Sequence, residues 1–226
     1  MKKSRPTRYP RRKPTRQAFL KIYQALRAHY GPRHWWPAET PFEVIVGAVL
    51  TQNTAWRNVE KAIENLKHAN QLSVPTLRGI KEEELAGLIR PAGYFNIKAR
   101  RLKNVIDFLS ERYHGDLEAM FKEETNKLRK KLLEVNGIGQ ETADSILLYA
   151  GNKPSFVVDA YTRRVFERHR YLKTGEDYGM IQQIFMEFLP RSVPLYNDYH
   201  AQIVEVGKDF CRKTPLCSSC PLKPYL

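Results

Sequence analysis

Two glycines in the middle of the chain form a turn that could bind an anion. They flank Ile138 in the segment Gly137-Ile138-Gly139, between two stretches with helical patterns. Glycines permit positive φ and, lacking a Cβ atom, let another backbone come close. The helix after the turn presents unpaired N–H groups. Such a turn can bind a phosphate without a cationic side chain, although an ordinary helix C-cap followed by a new helix has the same pattern.

A single aspartate lies at a second position suited to chemistry. Asp159 follows the apolar segment Phe156-Val157-Val158 and begins another helical pattern. An ionised carboxylate there would lie beside the N–H groups of the first helical turn. From the residues alone, both an ordinary N-cap and a negative charge for catalysis remain open.

The cysteines form a third candidate site. Cys211, Cys217 and Cys220 are the only cysteines in the sequence and follow the spacing C-x5-C-x2-C. Three clustered thiols in an intracellular protein are typical of a metal or cluster site rather than of disulfides.

The elements that must position these residues are predicted to be helices. Thr15 can cap a first helix that Gly31 ends, and Thr40-Pro41-Phe42-Glu43 combines an N-cap, a proline at the first helical position and a capping-box glutamate. The helix from Pro41 is almost wholly apolar, so it should lie at the centre of its domain. No strand alternation is present. Further helices are predicted at about 55–68, 81–89, 97–113, 125–134, 160–169, 177–189 and 196–210.

Charge and hydropathy narrow the class of protein. The chain has 226 residues and a formal net charge of +14, with no run of 18 apolar residues and no apolar segment at its basic start. We therefore expect a globular, cytoplasmic protein of one large or two small domains, with no membrane span and no signal peptide. A polyanion is the expected partner. Residues 2–16 form a basic arm, with no acid among Lys2, Lys3, Arg5, Arg8, Arg11, Arg12, Lys13 and Arg16.

Taken together, these motifs resemble a known superfamily. The pattern Leu132-x4-Gly137-Ile138-Gly139-x2-Thr142-Ala143, followed by Val157-Val158-Asp159-x3-Arg163-Arg164, resembles the helix-hairpin-helix (HhH-GPD) DNA glycosylases, which include endonuclease III. The likeness extends from Phe42 to Cys220. It implies an all-α fold of two helical domains with a cleft between them. The predicted domains are a disordered arm (1–16), a six-helix domain with the hairpin (42–150), and a discontinuous helical domain with the cysteine loop (17–41 plus 151–226).

The resemblance also implies catalytic roles. Asp159 falls at the position of the superfamily's catalytic aspartate, whose charge suits the oxocarbenium-like state of N-glycosidic cleavage. Bifunctional members carry a lysine two residues after the second hairpin glycine, and this chain has Glu141 there. A carboxylate cannot form the imine needed for strand cleavage. The chain is therefore predicted to be a monofunctional glycosylase without lyase activity, in which Glu141 assists in the base pocket or is only a favourable acid in its helix.

An aromatic motif indicates the class of base. Trp35-Trp36-Pro37, together with Trp56 and Glu141, looks like the 3-methyladenine DNA glycosylase III branch, which excises alkylated purines. Indole faces can stack on an extruded base, and a cationic alkylated base gains a cation–π interaction. Ordinary burial of the tryptophans between domains is the alternative.

The expected contacts with double-stranded DNA come from two turns. Gln52 and Asn53 match the superfamily position whose side chains enter the duplex, although Asn53 could be only a helix C-cap. The hairpin residues Gly137, Ile138, Gly139 and Thr142 should hold a backbone phosphate. A basic cluster of Lys98, Arg100, Arg101 and Lys103 would touch phosphates or form a solvated face.

The cysteine loop resembles the [4Fe-4S] loop of the superfamily, which takes four thiolates. A fourth cysteine would be expected near position 226, where Leu226 stands. Three interpretations stay open: a cluster with a different fourth ligand, a degenerate loop without metal, or a chain cut short of its last cysteine.

The sequence therefore predicts a monomeric, nucleoid-associated DNA N-glycosylase of base excision repair, acting on alkylated purines such as 3-methyladenine. Two alternatives remain. One is an endonuclease III-like glycosylase and lyase acting on oxidised pyrimidines, and the other is a DNA-binding module without catalysis.

Overall fold

The computed structural model describes residues 12–33 and 35–225. These residues form helices and connecting turns without any β-strand, so the all-α prediction is confirmed. The chain folds as two compact units, one comprising the described residues of Met1–His34 and Val158–Leu226 and the other Trp35–Val157. We call them the discontinuous and the continuous unit. The domain boundaries predicted from the sequence, 41/42 and 150/151, stay a prediction.

The continuous unit is built around helix α2, which is apolar except for Glu43. Residues Phe42 to Leu50 are all buried, as the sequence predicts. Thr40 caps the helix by accepting a hydrogen bond from the Glu43 backbone N–H (3.1 Å). The helices of this unit are α2 (Pro41–Leu50), α3 (Trp56–His68), α4 (Val74–Gly79), α5 (Glu82–Leu88), α6 (Phe95–Tyr113), α7 (Leu117–Lys122), α8 (Thr125–Glu134) and α9 (Gln140–Ser145), which continues as a π-helical turn, Ile146–Ala150.

An aromatic core joins the N-terminal helix of the discontinuous unit to its later helices. The ring of Phe19 lies 5.2 Å from that of Phe166 and 5.0 Å from that of Phe185, centroid to centroid. Offset and edge-on pairs of this kind stabilise a core beyond the area they bury. The helices of this unit are α1 (Arg16–Tyr30), α10 (Ala160–Arg168), α11 (Tyr178–Phe188) and α12 (Val193–Asp209).

The structure differs from the sequence predictions at two short helices and at the basic arm. Helices α4 and α7 have six residues each and were not predicted, because so short a segment shows no clear period. Arg16 already begins α1, and the Arg12 guanidinium donates to the Tyr225 carbonyl (2.7 Å). The rest of the predicted arm, up to Arg11, lies outside the described residues. Within the part that the structure describes, no helix is long and apolar enough to cross a membrane.

Candidate functional site

The hairpin joins α8 to α9, and its two glycines serve different purposes. Gly137 has φ +94°, and a Cβ there would collide with the side chain of Arg101. Gly139, the N-cap of α9, has an ordinary extended backbone (φ −91°, ψ 178°), so it does not use the positive φ that a glycine permits. A Cβ at Gly139 would meet nothing within 4 Å. Gly137 is thus required by the fold, while Gly139 leaves open space at a helix start, where a phosphate could approach.

The loop after α2 is tied to the hairpin. The Gln52 amide nitrogen donates to the Gly137 carbonyl (3.0 Å) and to the Thr142 hydroxyl (2.9 Å). The Gln52 amide oxygen accepts from the Arg101 guanidinium. Asn53, in contrast, is exposed with φ +54°. The structure therefore brings the predicted DNA-binding residues together, but it engages the Gln52 amide within the protein.

Lys98, the first residue of the basic cluster on α6, fits neither sequence interpretation. Lys98 is 1% exposed, and its ammonium donates to the carbonyls of Leu50 (2.7 Å) and Ala92 (2.8 Å) and to the Thr54 hydroxyl (3.0 Å). Burial, and then the charge of Arg101, lowers the pKa of Lys98 to about 8. Lys98 thus holds two loops together inside the unit, where it cannot contact a phosphate.

The other members of the basic cluster also bond within the protein. The Lys103 ammonium donates to three carbonyls at the end of α4, those of Leu77, Arg78 and Ile80. Arg100 forms a surface ion pair with Glu82 (3.4 Å). Lys98 and Lys103 therefore hold neighbouring loops, whereas Arg100 is a solvent-exposed charge, as one of the two sequence interpretations expects.

The predicted tryptophans form one aromatic cluster. The ring of Trp36 lies 5.1 Å from Trp56 and 5.1 Å from Tyr149, and Trp35 lies 6.0 Å from Trp36. Trp36 packs against Gly47 of α2, where a Cβ would lie 3.3 Å from the indole nitrogen. Pro37 is exposed beside them. Tyr149 was missed from the sequence, because its π-helical position follows no predicted pattern.

The Trp56 indole nitrogen donates to the Glu60 carboxylate (2.6 Å) on the same helix. Trp36 has a buried indole nitrogen with no hydrogen-bond partner among the described residues. Both tryptophans are half-buried residues. The cluster therefore packs against α2 without being fully enclosed.

Asp159 caps helix α10 and is nearly buried, with 12% of its side chain exposed. One carboxylate oxygen accepts from the Thr162 backbone N–H (2.7 Å) and the Thr162 hydroxyl (2.8 Å). The other lies 3.6 Å from Nε2 of His200. Burial alone would raise the pKa of Asp159, but His200 and Thr162 favour the charged form and leave the pKa below its usual range. The site therefore holds a carboxylate that is ionised at neutral pH.

Sequence reasoning did not find His200. It lies on α12, far along the chain from Asp159, and nothing in the pattern around it marks it as a partner. Glu141 lies in the continuous unit, exposed in the first turn of α9, and its backbone carbonyl accepts from the Ser145 hydroxyl (2.7 Å). Its exposure leaves the Glu141 carboxylate accessible.

An ion pair between a buried carboxylate and a partly exposed arginine, which was also not predicted, supports the hairpin. Asp144 of α9 is fully buried and accepts two hydrogen bonds from the Arg129 guanidinium of α8 (2.8 and 2.9 Å). The Ser155 hydroxyl bonds the same carboxylate (2.5 Å). The two helices of the hairpin are thereby joined by a bidentate, charge-assisted contact.

The three cysteines line one cavity in the discontinuous unit, together with Arg168 and His169. Cys211 is buried and Cys217 exposed, and the Arg168 guanidinium lies 3.3 Å from the Cys211 sulfur. Across the described residues, no three His, Cys, Asp or Glu side chains converge closely enough to hold a metal ion. The loop offers three thiols, one fewer than a four-thiolate cluster takes, so the described cysteines alone do not fit such a cluster.

The chain is similar in sequence and structure to known DNA repair proteins. A putative DNA repair glycosylase of Methanocaldococcus jannaschii is 52% identical over 211 residues, covering 92% of this chain and 96% of that protein. Endonuclease III of Thermotoga maritima is 30% identical over 82% of each chain. The crystal structure of the H. pylori 3-methyladenine DNA glycosylase MagIII bound to 1,N6-ethenoadenine is 31% identical, with a TM-score of 0.73 over 84% of this chain and 97% of that chain.

The family match covers more than half of the chain. Residues 46–191 match the family described as HhH-GPD superfamily base excision DNA repair protein. That range contains the hairpin, Glu141 and Asp159. The chain therefore belongs to the HhH-GPD superfamily of base excision DNA repair proteins.

Proposed function

We propose that this protein is a monofunctional DNA N-glycosylase that hydrolyses the N-glycosidic bond of an alkylated purine such as 3-methyladenine. One observation carries the proposal: Asp159 is held as a carboxylate by Thr162 and His200 at the start of α10. Glycosidic cleavage builds positive charge on the sugar, and a fixed, poorly solvated carboxylate stabilises that charge.

In this proposal the bond between C1′ and the base nitrogen breaks, and the base leaves with the bonding electrons. Asp159 stabilises the resulting oxocarbenium ion or takes a proton from the water that adds to C1′. The open space at Gly139 and the N–H groups that follow it hold a backbone phosphate. Asn53, exposed after α2, helps to extrude the base.

The choice of an alkylated purine rests on the aromatic cluster and on the similarity to MagIII. Trp35, Trp36 and Trp56 offer indole faces on which a flat base can stack, with Pro37 beside them. A purine alkylated on a ring nitrogen carries a positive charge, which adds a cation–π interaction to stacking. The 31% identity to a 3-methyladenine DNA glycosylase supports the same class of base.

Release of free bases from methylated DNA, resolved by chromatography, tests the substrate. We expect 3-methyladenine to appear with the protein and not with a heat-inactivated sample. Duplexes that contain uracil, a mismatched thymine or an oxidised pyrimidine should be run in parallel. Release of a base from any of these duplexes, with no release of 3-methyladenine, would overturn the substrate assignment. The protein would still be a glycosylase.

Glu141 leads to a second prediction, which concerns the lyase reaction. Borohydride should trap no covalent adduct between the protein and a duplex with an abasic site, because a carboxylate cannot form a Schiff base. Endonuclease III is the positive control, and Glu141→Gln should behave like the wild type. The substitution Glu141→Lys, which places an amine in this exposed first turn, should gain some trapping. Efficient trapping by the wild type would instead favour the endonuclease III-like alternative, which the relative from Thermotoga maritima keeps open.

Three further expectations from the sequence stay predictions: the [4Fe-4S] cluster, the monomeric state and the cytoplasmic, nucleoid-associated location. An iron assay and an absorption spectrum of the purified protein test the first. No catalytic step is assigned to a cluster, because no three metal-binding side chains converge among the described residues.

A further inference from the structure

The contacts around Arg101 carry an inference about how this protein grips DNA. Helix α6 places the Arg101 side chain against Gly137, close enough that a Cβ at position 137 would overlap its Cγ and Cδ atoms. Beyond this stem, the guanidinium donates to the amide oxygen of Gln52. Arg101 therefore touches both the hairpin and the loop after α2.

Gln52 completes the connection. Its amide nitrogen donates to the Gly137 carbonyl (3.0 Å) and to the Thr142 hydroxyl (2.9 Å), while its amide oxygen is bonded to Arg101. An amide side chain offers two donor hydrogens and one acceptor oxygen, so both of its donors and its acceptor oxygen are engaged. A Gln52 that entered the duplex would have to break all three contacts.

We infer that Arg101 is a positioning residue that, through Gln52, locks the loop after α2 and the phosphate-binding hairpin into one DNA-gripping surface. We call Arg101, Gln52, Gly137 and Thr142 the clamp. Because Gln52 is part of it, Asn53 is the one of the two residues after α2 that enters the duplex. The inference rests on the proposed function for its DNA partner, but not on which base is released.

The chain offers a matched control on the same helix. Arg100 carries the same charge as its neighbour but is exposed and pairs with Glu82 at 3.4 Å. Loss of Arg100 removes one positive charge without touching the clamp. Comparing Arg101→Met with Arg100→Met therefore separates positioning from long-range electrostatics. Methionine keeps much of the aliphatic stem that covers Gly137 and removes only the guanidinium.

The experiment measures binding to a duplex with a stable abasic-site analogue, by fluorescence anisotropy at fixed salt. Because hydrogen bonds to a charged group are the stronger ones, we expect Arg101→Met to weaken binding about tenfold. Gln52→Met should have a similar effect, and the double variant should bind no more weakly than the weaker single variant, since either change opens the clamp. Arg100→Met should stay within about twofold of wild type. In base release, Arg101→Met should raise KM by a larger factor than it lowers kcat.

The clamp is contradicted if the losses of DNA binding in the two single variants add up in the double variant. It is also contradicted if Arg101→Met and Arg100→Met weaken binding equally. If Gln52→Met lowers kcat by the same factor in the wild-type and in the Arg101→Met background, Gln52 enters the duplex instead of acting in the clamp. Thr142→Val, nearly isosteric, probes the clamp from the hairpin side and should weaken binding by about threefold. Circular dichroism of each variant checks folding. Binding to the abasic analogue needs no base release. An incorrect clamp therefore changes the expected binding results, whereas an incorrect glycosylase assignment changes only the results of the base-release assay.

Discussion

Replacing Asp159 with Asn is expected to slow base release about 1000-fold while DNA binding stays within about twofold of wild type. Asparagine keeps the size of the side chain and caps helices as well as aspartate does. Its oxygen can still accept from the Thr162 N–H, which lies 2.7 Å from the present carboxylate oxygen. The negative charge is the property that is lost. Single-turnover release of 3-methyladenine measures the rate, and anisotropy with an abasic-analogue duplex measures binding.

Asp177→Asn is the matched control for this experiment. Asp177 caps α11 in the same unit, and its side chain accepts from the N–H groups of Gly179 and Met180. If both carboxylates were ordinary caps, both variants would keep full activity. We expect only Asp159→Asn to lose it. Undiminished base release by Asp159→Asn would remove the aspartate from the mechanism, whereas a wild type that binds DNA but releases no base would favour a binding module.

The electrostatics around Asp159 fix the sign of its pH dependence. Burial opposes the charge, but His200 and Thr162 outweigh it, and the pKa of Asp159 lies below its usual range. The folded protein therefore keeps this carboxylate charged at pH values where the unfolded chain would begin to protonate it. Its contribution to stability is present above the unfolded pKa and is lost only as the pH falls through the folded pKa. At neutral pH the carboxylate is ionised, as the proposed mechanism requires.

Local signals were enough to predict the elements that carry the site. Thr40 and Pro41 mark the start of α2, and Asp159 marks the start of α10, because a cap and its N–H partner lie within three residues. The hairpin was found in the same way, although only Gly137 needs positive φ. What sequence reasoning predicted best is therefore where helices begin and end.

Contacts between residues far apart in sequence could not be predicted. Gln52 and Gly137 are separated by 85 positions, and the partners of Lys98 lie up to 48 positions away. Lys98 has the same charge as its exposed neighbour Arg100, so its burial cannot be read from residue type. The partnership of His200 with Asp159 likewise depends on how α12 packs against α10. Such pairings come from tertiary packing, which a single sequence does not specify.

The ion pair of the hairpin carries the second large effect. Asp144→Ala is expected to lower the free energy of unfolding by about 3 kcal/mol, because it removes a fully buried carboxylate that accepts from Arg129 and Ser155. The Arg129 side chain, which is 23% exposed, keeps part of its hydration and limits the loss. Urea unfolding followed by circular dichroism measures the loss. Glu118→Ala is the control, since Glu118 and Lys122 form an exposed i,i+4 pair (3.2 Å) worth about 0.5 kcal/mol or less.

The double substitution Arg129→Met with Asp144→Leu removes both charges of the ion pair. It therefore separates the net contribution of the pair to stability from the cost of leaving one charge unpaired. Removing both charges leaves no buried ion without a counter-charge, so the double variant should be more stable than Asp144→Ala. The position of α9 would then depend on apolar packing alone. Because α9 starts at the hairpin, Asp144→Ala should also weaken binding to the abasic-analogue duplex, and the double variant should recover part of that loss. If Asp144→Ala costs no more stability than Glu118→Ala, some other contact must hold the two hairpin helices together.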